Sequence, residues 1–244
     1  MELDEKIRKA YFAAKGRNGS PRLAKDLQVN GTQVSRLTVS LHMKRMGIHS
    51  KFPHRFKVTT DSSHDYKVAP NLLNRVFRCD EPSKACVSDL TYIPCTDGFL
   101  YLTMVLDLFD RKPIGWSMSE NMKASDTVIP AIRMADRNRP FAEGMIFHSD
   151  RGVQYACGQT VNVLKSLKVK QSMSRKGNCL DNAVMENFFG LLKSELLYLQ
   201  EFESMEHFKA ELVEYLDYYN NRRIKVKLKG LPPAIHRQQA LSAA

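Results

Sequence analysis

The chain has 244 residues, 43% of them hydrophobic and 9% aromatic, with a formal net charge of +11. That length suits one large domain or a core domain with a small appendage, and the composition is that of a chain that buries a core. No apolar run nears the roughly 18–20 residues of a membrane span, and the charged start MELDEKIRKAYFAAKG does not look like a signal peptide. Five cysteines (Cys79, Cys86, Cys95, Cys157, Cys179) with no CxxC pair argue against a disulfide scaffold and against a thiolate metal site, and point to a reducing, cytoplasmic compartment.

Residues 1–83 hold sixteen Lys/Arg against eight Asp/Glu, residues 84–200 fourteen against twelve, and residues 201–244 seven against six. The basic excess in the first third points to a polyanion partner, most simply nucleic acid; a basic surface with no partner is the plainer alternative.

In chain order, residues 1–48 read as short helices, with Leu23, Leu27, Val34, Leu37, Leu41, Met43 and Met46 at helical spacings broken by GRNGSP and VNG. Tight turns and the basic residues Arg22, Lys25, Arg36, Lys44 and Arg45 fit a helix-turn-helix-like module. Residues 49–83 read as a basic linker that orders on DNA. The texture changes at residue 84: ACVSDLTYI, FLYLTMVLDLF and KPIGWSMSE are three strands joined by short turns, an antiparallel meander. A helix over SDTVIPAIRMADRNR follows, with Ser125 as its expected N-cap. Then come a strand at GMIFHSD, a helix around GQTVNVLKSL, a strand at VKQSMS and an apolar helix ending SMSRKGNCLDNAVMENFFGLLKSE. The amphipathic helix ESMEHFKAELVEYLDYYNN precedes a basic tail, RRIKVKLKG, whose alternation predicts an edge strand with Arg222, Arg223, Lys225, Lys227 and Lys229 beside phosphates. The expected fold is a mixed α/β sheet domain over 84–200, with residues 201–244 as a C-terminal helix and tail.

Three carboxylates stand out. Asp89 lies inside an apolar strand, Asp150 closes another strand, where open α/β sheets usually bind ligands, and Glu186 interrupts an apolar helix. At about 100° per residue, Lys193, Gly190, Asn182 and Ala183 all fall within about 60° of Glu186 around that helix. Ala183 and Gly190 leave that face open. Each acid has a plain explanation singly, as a solvated side chain, a turn residue or a bulge. Together their spacing is distinctive: sixty residues separate Asp89 from Asp150, and thirty-five separate Asp150 from Glu186.

With SDLTYI, GFLYLTMVLDLFDRKPIGWSM, FHSDRGVQY, SMSRKGNCLDNAVMENFFGLLKSE and YYNNRRIKVKLKGLPP, the chain resembles bacterial insertion-sequence transposases of the Asp-Asp-Glu, retroviral-integrase-like group. The likeness is to the second-reading-frame protein of two-frame elements. NGSPRLAKDLQVNGTQVSRLTVSLHMKRMGI is similar to the family's helix-turn-helix-like segment. That group usually has Trp where Cys86 stands and Tyr where Asn18 stands; Cys86 is expected to loosen local packing without touching the metal site.

The resemblance implies a ribonuclease H-like five-stranded sheet and strand cleavage followed by strand transfer at element ends. Asp89, Asp150 and Glu186 would be the catalytic, metal-holding residues, binding two Mg²⁺ ions (or Mn²⁺), hard cations that favour carboxylate oxygens. Lys193 would contact the terminal DNA. Arg175 and Lys176 in a loop with Gly177, together with Asn182, Arg151 and Gln154, are further candidate DNA contacts, as are Arg22, Arg36, Lys44 and Arg45 in the module. His148 is either a functional group, as a neighbour of the metal site or facing DNA, or an ordinary strand-end histidine. The implied partners are double-stranded DNA (element ends and target), further copies of the chain on DNA, and a first-reading-frame protein or fused N-terminal region; no membrane is implied. A ribonuclease H-like nuclease and a non-catalytic DNA-binding regulator are the competing readings.

Overall fold

The computed structural model describes residues 2–50, 66–95 and 98–242. Helices α1 (Glu2–Ala13), α2 (Ser20–Val29) and α3 (Arg36–Arg45) wrap their own small core of Ile7, Tyr11, Leu23, Leu27, Val39 and Met43. Pro21 opens α2, and the Ser35 hydroxyl caps α3 by accepting from the Thr38 N–H. Of the apolar residues at helical spacing here, Leu37 and Leu41 do not join that core; they are 69% and 59% exposed on α3.

Strands β1 (Ala85–Cys95), β2 (Gly98–Asp107), β3 (Pro113–Ser119), β4 (Ile146–Ser149) and β5 (Lys170–Met173) form one mixed sheet in the order β3-β2-β1-β4-β5. The first three are the predicted antiparallel meander, and β4 and β5 add in parallel on the far side of β1. Helices α4 (Val128–Asn138), α5 (Val153–Ala156) and α6 (Gly158–Ser166) cover one face; α7 (Ala183–Leu192) and α8 (Met205–Asn221) cover the other. Alternation along β1 sends Ala85 and Val87 towards α7 and α8, and Cys86 towards α4 and α6. Because both faces are covered, the strands read as nearly continuous apolar runs. Cys86 is fully buried among Phe147, Val105 and Ile132, on the face opposite to α7. Gly115 lets α4 lie directly on β3: a Cβ there would stand 2.4 Å from the Ala131 carbonyl.

Three expectations are corrected. Ser125 does not cap α4; its hydroxyl bonds Asp126, and the helix begins later, after Thr127, because Thr127 is bound back to Lys123 in a preceding turn. The expected linker is not a linker throughout: Leu73, Phe77 and Cys79 pack on the α7–α8 core, while residues 51–65 lie outside the described residues. The basic tail is not an edge strand. Arg223 and Ile224 are buried, Lys225 bonds the Tyr219 hydroxyl and lies over its ring at 4.5 Å, and a single Lys225–Leu231 bridge encloses a helical turn at Val226–Leu228. A further helix, α9 (Pro233–Ser242), then follows, announced in sequence only by its opening prolines. Among the described residues no helix is long and apolar enough to cross a membrane.

Candidate active site

Strands β1 and β4 run in parallel with Val87 opposite His148 and Ser88 opposite Ser149. The paired register ends there: Asp89 is the next residue of β1, and Asp150 is the first residue past the end of β4. Helix α7 buries Met185, Phe188, Phe189 and Leu192, which leaves Glu186, in its first turn, at the exposed rim of the same face.

Asp89 feels the charges of Asp150, Glu186 and Lys193. Burial pushes the Asp89 carboxyl well above the ordinary carboxylate range; Asp150 and, less strongly, Glu186 push it the same way, while the Leu90 N–H and Lys193 oppose them. That N–H donates to Asp89 Oδ1 at 2.8 Å. Burial also raises Glu186. Burial lowers Lys193, and the Asp89 carboxylate partly restores it. Asp89 on β1 is thus influenced by a carboxylate at the end of β4, by another on α7 and by the ammonium of Lys193 just past α7.

Among the described residues no three His, Cys, Asp or Glu side chains stand close enough to enclose a metal ion as they are. The donor chemistry nevertheless fits a hard divalent cation. Only carboxylate oxygens are offered, and the like-charge crowding that raises Asp89 is what a cation relieves.

The surroundings hold the acids in place. The Gly152 N–H donates to Asp150 Oδ1 at 2.9 Å, and a Cβ at Gly152 would meet Asp150 Oδ1 at 3.1 Å and Gln154 Oε1 at 3.2 Å, so any larger residue crowds both. Beneath Asp89, the Ser88 hydroxyl donates to the Met104 carbonyl at 2.9 Å and accepts from the buried Tyr155 hydroxyl at 2.8 Å. Burial, then Asp89 and Asp150, keep that phenol protonated. His148 is an internal strut: it is fully buried, with Nδ1 bonded to Ser172 Oγ at 2.8 Å and Nε2 to the Asp181 carbonyl at 2.9 Å, and burial lowers its pKa. Of its two sequence readings, the structure supports the ordinary one.

The other candidates divide. Arg175 binds the buried Asp181 through Nε and Nη2, each at 2.8 Å, yet its side chain stays 49% exposed; Lys176 is exposed. Asn182 is buried, with its amide on the Ser88 carbonyl at 3.4 Å, docking the start of α7 on β1. Arg151 and Gln154 follow Asp150 in sequence and are partly buried. In the helical module, Arg36 and Lys44 are exposed on α3, Arg45 pairs with Asp4, and Arg22 pairs with Glu195 at 2.9 Å. Sequence reasoning missed Tyr155, Asp181 and Glu195. Asp181 is legible only as an acid six residues after Arg175, and Glu195 as one two residues after Lys193.

Residues 80–179 match a family model described as integrase core domain, and residues 186–241 match a second model of the same description. The chain is 38% identical over 241 residues to the putative transposase InsK for insertion sequence element IS150 of Escherichia coli (strain K12), across 98% of this chain and 83% of that one. This chain belongs to the insertion-sequence transposases with an integrase core. The transposase for insertion sequence element IS904 of Lactococcus lactis subsp. lactis (strain IL1403) is 35% identical over 224 residues, 91% of this chain and 88% of the relative. Among solved structures, the HTLV-2 integrase catalytic core domain in complex with magnesium aligns with a TM-score of 0.51 at 17% identity, over 64% of this transposase and 97% of that chain. The simian T-cell lymphotropic virus intasome aligns with a TM-score of 0.51 at 15% identity, over 88% of this chain and 69% of that one. Such identities show the fold alone, that of retroviral integrase cores. The protein is a DNA transposase, a polynucleotidyl transferase by family. Asp89 and Asp150 lie in the first matched segment, and Glu186 opens the second.

Proposed function

We propose that this transposase cuts and rejoins DNA at the ends of its element by metal-assisted, in-line phosphoryl transfer, with Asp89, Asp150 and Glu186 holding the ions. The observation that carries this reading is a buried Asp89 carboxylate crowded by Asp150 and, less strongly, by Glu186, on three successive parts of the fold, with the Lys193 ammonium opposing them. Two Mg²⁺ ions, for which Mn²⁺ substitutes, would activate the attacking oxygen and stabilise the leaving one. The magnesium complex of the HTLV-2 integrase core supports that choice of ion. Asp89, Asp150 and Glu186 would together supply the carboxylate oxygens that hold the ions.

Lys193 would set a compact positive charge against the terminal phosphate. The helix face of Ala183 and Gly190 admits the strand. A water molecule, then the freed 3′-hydroxyl of the element end, attacks in turn, with no covalent bond to the protein. Lys176, Arg36 and Lys44, all exposed, would neutralise duplex phosphates. The substrate is double-stranded DNA, as element ends and as target. Pairing of two ends requires more than one copy of the chain on DNA, and a first-frame protein or fused N-terminal region would strengthen that assembly.

The test is cleavage of a supercoiled plasmid carrying both element ends, in Mg²⁺ or Mn²⁺, by the wild type beside Glu186→Gln. Nicking or joining by the wild type alone is expected; equal activity of the two proteins would sink the assignment.

A further inference from the structure

The helix that carries Glu186 and Lys193 does not finish on its own residues. After Leu192 the chain makes one widened, π-type turn, Lys193–Leu197, in which the Tyr198 N–H donates to the Lys193 carbonyl at 2.9 Å. Turns of this kind interrupt regular helix and concentrate at functional sites. Glu195 sits inside it, only 3% exposed. Its carboxylate accepts from Arg223 at 2.8 and 2.7 Å, from the Tyr215 hydroxyl at 3.2 Å and from Arg22 at 2.9 Å. Its backbone carbonyl accepts from Arg17 Nε at 2.7 Å.

Arg17 and Arg22 belong to the helical module, Arg17 in the α1–α2 connection and Arg22 in the first turn of α2. Arg17 is itself buried, over the rings of Tyr215 and Tyr218 at 5.4 and 5.0 Å, and neighbouring Asn18 accepts from the Tyr218 hydroxyl at 3.1 Å. Arg22 is thus engaged with protein at the site where sequence alone suggested DNA. The end of the helix bearing Glu186 and Lys193 is completed by residues some 170 positions earlier. A carboxylate this buried is destabilising unless its cationic partners are in place. Undocking the module would remove Arg22 from the hub's carboxylate and Arg17 from its carbonyl together, two residues beyond Lys193.

We infer that Glu195 is a positioning residue that ties the seating of the helical module to the placement of Lys193 and Glu186, so that strand cleavage requires Arg17 and Arg22 to be docked. This rests on the catalytic reading above. It is tested with the full-length Arg17→Ala/Arg22→Ala protein beside wild type and Glu186→Gln, by amide hydrogen exchange without DNA and by cleavage across a range of DNA concentrations. Exchange over residues 189–197 is expected to quicken about tenfold while that of β1 and β2 stays constant. The cleavage rate at saturating DNA is expected to fall about tenfold with apparent DNA affinity nearly unchanged, and Arg22→Lys to retain part of it. Unchanged exchange would overturn the inference. So would weaker DNA binding with an undiminished saturating rate, which would make both arginines DNA contacts. If wild type and Glu186→Gln cleave equally or neither cleaves, the catalytic reading has failed, and the exchange measurement alone decides whether the hub holds the helix. Should the double variant not fold, Arg22→Ala alone, which keeps the Arg17 bond, serves in its place.

Discussion

At Asp89 the chain accepts a cost that a structural residue would not impose: a carboxylate raised by burial, by Asp150 and by Glu186. Removing that charge relieves crowding in the resting protein while deleting a metal oxygen. Asp89→Asn is therefore expected to unfold at a temperature no lower than wild type, and to lose cleavage by about 10³-fold, the several kcal/mol that metal-ion catalysis supplies. Thermal scans and plasmid assays on one preparation check both halves. Asp181 shows the opposite pattern. Hydrogen bonds from Arg175 come first in holding its carboxyl far below the ordinary carboxylate range, with Arg75 adding to them. A depressed folded pKa contributes stability that is fully present above the unfolded value, near 4, and is lost as pH falls from there through the folded one. Asp181→Asn should cost about 1–3 kcal/mol at pH 7, and the gap to wild type should narrow progressively below about pH 4. Urea titrations at pH 7 and at acid pH measure it; a gap that stays constant would remove the ion cluster from the account.

At the scale of elements, close contacts decide more than propensity does. A Cβ added at Gly115 would stand 2.4 Å from the Ala131 carbonyl and 2.6 Å from the Ala135 nitrogen, backbone atoms of α4 that cannot rotate aside. Gly115→Ala should therefore cost about 1–3 kcal/mol, seen as a lowered denaturation midpoint with an unchanged slope. Arg223→Ala leaves the Glu195 carboxylate buried with too few partners and should cost about 3 kcal/mol. Strand periodicity and the apolar side of α7 were legible in advance because both depend on residues near in sequence. The tail was misread for a related reason. The alternation in RRIKVKLKG satisfies a strand pattern locally, but Tyr219 and Glu195 recruit Lys225 and Arg223 from elsewhere in the fold. Leu37 and Leu41 keep helical spacing yet face outwards, since α3 turns Val39 and Met43 to the core instead.

For the molecule as a whole, charge is informative once partners inside the fold are known. Arg45 and Arg22 carry ion pairs with Asp4 and Glu195, while Arg36 and Lys44 stand exposed on α3. Duplex binding should weaken steeply with salt. Arg36→Ala/Lys44→Ala should flatten the slope of log K against log salt by about 1.8, at about 0.9 per phosphate contact. Equal slopes for that variant and the wild type in a binding series at several salt concentrations would take α3 off the DNA.

The sequence by itself determined the class of the sheet, the order of its elements and the three acids, because a strand period, a strand end and fixed separations along the chain are local quantities. Only the tertiary structure decided that Asp89 lies within electrostatic reach of Asp150, that Asp181 and His148 are internal supports, and that Glu195 joins the helical module to the helix of Glu186. Those depend on pairing and burial between distant segments. A single carboxylate in a sequence looks the same whether it faces water, an arginine or a metal ion, and only its folded surroundings tell these apart.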